Sequence, residues 1–135
     1  MRWVRPGKAI VFIVLLVTLG CRGGAQLYQV TDAPVHTATG RQAALDQVQK
    51  AIIESGASLG WIMAVAKPGE IVGTLNVRSH TAIVAIPFTT KSYSILYKDS
   101  TNLKYNAETQ TIHENYNGWI QRLDNTIRAR IAAIG

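Results

Sequence analysis

Residues 61–98 read WIMAVAKPGEIVGTLNVRSHTAIVAIPFTTKSYSILYK. Turn chemistry cuts this stretch into four runs rich in β-branched and aromatic residues: WIMAVA (61–66), IVGTLNV (71–77), TAIVAI (81–86) and SYSILYK (92–98). Lys67-Pro68-Gly69-Glu70 puts Pro and Gly at the two middle positions of a type II turn, and the segment from Arg78 to His80 leaves room only for a tight reversal. Connections this short join antiparallel neighbours, so the stretch predicts a four-stranded meander. Side chains alternate with period two. One face is expected to carry Ile62, Ala64, Ile71, Leu75, Val77, Ala82, Val84, Ile86, Tyr93, Ile95 and Tyr97 and to form the core. The other gathers Trp61, Met63, Val65, Val72, Ile83 and Leu96, with Arg78 and Lys98 at its polar edge. An apolar patch of that kind marks protein docking. Trp61, Met63, Val65, Val72, Ile83, Leu96 and Arg78 are therefore the expected partner surface, for a second copy of the chain or another protein.

Helical patterns flank the meander. Upstream, Ala44, Leu45, Val48, Ile52 and Leu59 recur at helical steps, with Asp46, Gln49, Lys50 and Glu54 opposite them. The spacing predicts a helix over 41–58, opened by a Thr39/Gln42 capping box and closed at Gly56 or Gly60. Downstream, the polar loop DSTNLKYNAETQ (99–110) precedes a second helix, with Thr111 and Glu114 at the same capping spacing. Its apolar stripe is Tyr116, Trp119, Ile120, Leu123, Ile127, Ile131 and Ile134; Arg122, Asp124, Arg128 and Arg130 are expected outside it. Laying both helices on one sheet face predicts a two-layer α+β domain over 39–135, in the order α-β-β-β-β-α.

The N-terminus has a different character. Arg2, Arg5 and Lys8 precede an apolar run from Ala9 to Leu19, and Gly20 supplies a small residue before Cys21, the only cysteine of the 135 residues. Charged, apolar, small is the order of a secretory signal, and the run is shorter than the about 20 residues that span a bilayer. Gly20-Cys21 resembles the processing box of bacterial lipoproteins. The resemblance implies removal of residues 1–20 and lipidation of Cys21, with diacylglycerol on its sulfur and a further chain, such as palmitate, on its amino group. Two or more chains anchor durably where one does not. Residues 21–38 then read as a lipidated flexible tether, with Gly23-Gly24 giving slack. Alternatively, its Leu27, Tyr28 and Val30 fold back across the mixed sheet face. His36 is expected in solvent. Without Arg2, Arg5 and Lys8 the chain has 11 basic against 8 acidic residues, or +3 in place of +6. No basic run of the nucleic-acid-binding kind survives in it.

The segments RSHTAIVAI, YSILYKDSTNLKYN and IHENYNGWIQRL resemble a group of small lipoproteins of Gram-negative bacteria that share Arg-Ser-His, Tyr-x-Ile-x-Tyr-x-x-Ser-x-Asn-Leu and Ile-His-x-Asn-Tyr-Asn-x-Trp patterns. The likeness covers roughly residues 40–130. It implies the lipoprotein class and the fold, and brings no activity with it. Such bacteria retain chains with Asp after the lipidated cysteine in the inner membrane. Arg22 follows here, which implies the outer membrane, with the domain in the periplasm.

The residues that could carry chemistry are few. His36, His80 and His113 lack the short spacings of a metal site, and no cofactor is expected. Asp99, Ser100 and His113 hold the residue types of a hydrolase triad without a nucleophile-elbow motif. Asn102, Tyr105, His113, Asn115, Tyr116 and Asn117 combine amides and rings, as a glycan or peptidoglycan loop requires. The same residue types organise loops by bonding nearby backbone. The sequence therefore predicts a binding or structural module of the envelope and not an enzyme, with a glycan binder as the alternative and a small hydrolase behind it.

Overall fold

The structure, a computed structural model, describes residues 24–135. The expected signal (1–20) and Cys21 lie outside the described residues. The elements are β1 (Ala25–Gln26), β2 (Val30–Pro34), α1 (Leu45–Ser58), β3 (Ile62–Lys67), β4 (Glu70–Val77), β5 (His80–Pro87), β6 (Ser92–Thr101), β7 (Thr111–Ile112) and α2 (Glu114–Ala132). The fold is α+β. A five-stranded antiparallel sheet runs β2-β6-β5-β4-β3, and β1 pairs with β7 in a separate two-stranded ribbon.

The meander β3 to β6 forms as its turn residues dictate. Gly69 has φ +79, the left-handed value that the third position of a type II turn demands. What the sequence did not reveal is the fifth strand. From Gly24 onward the segment expected as a tether through residue 38 contributes strands: Val30 pairs with Ile95 and Ala33 with Tyr93 at the sheet edge. Val30 and Ala33 are buried, and Leu27 and Tyr28 pack against the core. β2 thus extends the sheet sideways rather than folding across it. A short strand with no alternation of its own is stabilised only by the edge it meets.

Between the sheet and the two helices lies one core, built from Val48 and Ile52 of α1, Ile71, Val84, Ile86, Tyr93 and Ile95 of the sheet, and Ile120, Leu123, Ile127 and Ile131 of α2. The faces of β4, β5 and β6 are as the alternation predicts, apart from Val77 and Tyr97, which are only partly buried. β3 is reversed. A regular two-residue hairpin would set Ala66 opposite Ile71 and turn Ile62 and Ala64 inward. Here Lys67 pairs with Glu70 and Val65 with Ile71, leaving Ala66 bulged. One extra residue flips every side chain that precedes it. Trp61 is consequently buried, and Met63 lies under α1, while Ile62 is 64 % exposed.

Both helices begin later than expected. The α1 start is Ala44, whose backbone N–H donates to Gln47 Oε1 at 2.9 Å, so Gln47 closes half a capping box where Thr39 and Gln42 were expected. Gln42 bonds Thr90 instead. Gly60, at φ +89, follows the helix end; Gly56 lies within it, where a Cβ would overlap the Met63 side chain. For α2 the cap is His113, whose Nδ1 accepts the Asn115 N–H at 3.2 Å, and Thr111 belongs to β7.

Candidate functional site

Two places carry the residues singled out by type, and a third holds a buried polar network. The first is the helix-free face of the sheet. Ile62 and Ala64 of β3, Val72 of β4, Ile83 and Ala85 of β5 and Leu96 of β6 share it, because Ala64 pairs with Val72, Val72 with Ala85, and Ala85 with Leu96. Val72, Ile83, Ala85 and Leu96 are half-buried by their neighbours; Ile62 and Ala64 stand open. Of the expected partner surface, this keeps Val72, Ile83 and Leu96. Trp61 is removed to the core, and Met63, partly buried, packs against it. Val65, opposite Ile71, faces the helix side yet is 47 % exposed. Arg78 lies in the β4–β5 turn at φ +56.

The second place is the end of the sheet where β6 leaves it. Here residues from the long loop and the start of α2 gather, and most are bonded to or stacked on other parts of the chain. Asn117 donates from Nδ2 to the Gln26 carbonyl at 2.7 Å and accepts the Tyr28 N–H at 2.9 Å, clamping the first residues of the fold to α2. The Asn102 backbone carbonyl lies 2.7 Å from His80 Nδ1, and its side-chain Nδ2 donates to Ser79 Oγ at 2.9 Å. The His80 ring lies 5.9 Å from that of His113 and 6.5 Å from Trp119. Tyr105 stacks on Tyr97 at 3.9 Å. Tyr116 is buried, its hydroxyl without a partner among the described residues, and burial raises its pKa. Among the described residues Asn115 is exposed and makes no side-chain hydrogen bond, and the half-buried Tyr105 makes none through its hydroxyl. Along Glu114–Arg122 there is a hollow of about 470 Å³, but α2 alone lines it. Small-molecule pockets draw walls from several elements.

The triad residues do not combine through the hydrogen bonds present. Ser100 Oγ bonds the Tyr97 hydroxyl at 2.7 Å, Asp99 Oδ1 accepts the Ser100 N–H, and His113 uses its Nδ1 in the helix cap. Among the described residues, no three His, Cys, Asp or Glu side chains converge as metal ligands would.

The third place was missed by sequence reasoning. Asp124, expected on the solvent side of α2, is buried at 5 % exposure. Its Oδ1 accepts the Tyr93 hydroxyl at 2.5 Å and its Oδ2 the Arg128 Nε at 3.0 Å. Burial, then the bond to Asp124, raises the Tyr93 pKa. A signal was present: Asp124 follows Leu123 and precedes Ile127 by three, so it borders the stripe, with Arg128 one turn on. This network ties β6 to α2 and is structural.

Comparison with known protein families, with characterised proteins and with solved structures finds no match to this chain.

Proposed function

We propose that the protein is an envelope lipoprotein, anchored to the outer membrane through Cys21, whose periplasmic domain acts by binding and performs no chemistry. The observation that carries the anchor is the order of basic start, apolar run and Gly20-Cys21, followed by a folded element within four residues, at Ala25. No helix among the described residues is long and apolar enough to cross a membrane. Mass spectrometry of the native protein should find an N-terminus at residue 21 with acyl mass on Cys21, and Cys21→Ala should leave the precursor uncut. A free thiol, or retention of residues 1–20, would refute the anchor.

The helix-free sheet face supports the binding half of this reading. Ile62, Val72, Ile83 and Leu96 expose apolar surface on an antiparallel sheet, where polar residues are the rule on a solvated face. The occupant we assign is a second copy, docked face to face about a two-fold axis, which brings each central residue near its own counterpart. With Cys21 acylated, an introduced cysteine is the sole free thiol. Ile83→Cys should give a disulfide-linked dimer in intact cells, and Gln121→Cys on α2 should not. Monomer from both, or dimer from both, would refute this docking.

A further inference from the structure

The structure turns the anchor into a statement about orientation. We infer that the domain is held directly against the lipid headgroups, with the end of the sheet bearing His80, His113 and the start of α2 facing the membrane. The inference rests on the lipid-anchor reading of Cys21. The chain that separates the anchor from the fold is short: Gly24 already lies against the Ile112 backbone, so closely that a Cβ there would overlap the Ile112 carbonyl oxygen. Ala25 pairs with Ile112, and the Gln26 carbonyl is held by Asn117. Only Cys21 to Gly24 remains, three peptide units, which reach at most about 11 Å when fully extended. The polar layer on each side of the hydrocarbon is itself roughly 5–8 Å deep. Gly24 therefore lies within or just above the headgroups, and its neighbours lie there with it.

The fold decides which neighbours these are. His113, next in sequence to Ile112, donates its backbone N–H to Leu103, and its ring lies beside His80. The β4–β5 turn with Arg78 and the segment after β6 with Lys104 are at this same end of the sheet. Charge does not select the orientation, because Glu108 and Glu114 offset those two cations; the reach of the chain does. The turns Lys67–Glu70 and Pro87–Ser92 lie at the opposite ends of β4, β5 and β6, about 25 Å away along strands of eight residues. The strands thus point away from the bilayer, and their open face looks sideways, toward molecules anchored in the same leaflet.

The test uses the full lipidated chain in phosphatidylethanolamine/phosphatidylglycerol vesicles containing headgroup-nitroxide lipid. A bimane label is placed on Glu114→Cys or Lys91→Cys, both at exposed positions. Quenching should be several-fold greater at position 114 than at 91. Inserting ten Gly/Ser residues between Gly23 and Gly24 should bring the two close together. Equal quenching without the insertion, on protein whose N-terminal peptide carries the acyl mass, overturns the orientation and leaves the anchor standing. An unacylated peptide from the same sample overturns the anchor and the orientation with it.

Discussion

Trp61→Ala should lower the unfolding free energy by about 3–5 kcal/mol, the cost of emptying a buried aromatic site. Ile62→Ala, one residue along, should change it by no more than about 0.5 kcal/mol. Trp61 is 4 % exposed and shares its surroundings with Leu59, Leu75, Trp119 and Arg122, whereas Ile62 is 64 % exposed on the helix-free face. Urea unfolding followed by far-UV circular dichroism measures both. The contrast is a direct test of the Ala66 bulge, because a regular β3–β4 hairpin would exchange the two results. It also bears on docking: loss of association in a Trp61 variant reports unfolding, and the informative substitutions are at Ile83 and Leu96.

Asp124→Ala should cost about 1–3 kcal/mol, chiefly because it leaves the Tyr93 hydroxyl buried without a partner. Arg128 is half in solvent and loses little. Tyr93→Phe leaves Asp124 buried with Arg128 alone, and the double variant should be less destabilised than the two single losses added together. The same residues set a pH dependence. Tyr93 and Tyr116 both hold their protons beyond the ordinary phenol value of 10.0 in the folded chain. The unfolded chain releases its protons at that ordinary value. Stability from this difference is intact below about pH 10 and is lost as pH rises further. Denaturant midpoints from about pH 9 to about pH 11 should fall, and in Tyr93→Phe they should fall less steeply while Tyr116 preserves part of the slope. An unchanged slope would show that the Tyr93 proton is not held by burial and Asp124.

The meander and both helices were legible because each is written locally. Pro68-Gly69 supplies its own turn, and the α2 stripe repeats at helical spacing from Tyr116 to Ile131. The candidate surfaces were legible only in part. Val72, Ile83 and Leu96 are central, and the register shift between β5 and β6, where Ile83 pairs with Asp99 and Val84 with Tyr97, falls beyond Leu96 and leaves its face unchanged. Trp61 and Met63 lie upstream of a bulge that composition does not announce. Asn102 and Asn117 look like ligand groups by type, yet their partners, Ser79 and the Gln26 and Tyr28 backbone, come from distant chain.

What the sequence by itself determined is therefore the set of elements, their turns, and the placing of one cysteine behind an apolar leader, since propensity, periodicity and short motifs act between residues a few positions apart. What only the tertiary structure decided is the edge position of β2, the inward turn of Trp61, the burial of Asp124 and the closeness of Gly24 to the α2 start. Each of these depends on a contact between residues far apart in the chain, whose free energy exists only after the sheet and helices have been brought together.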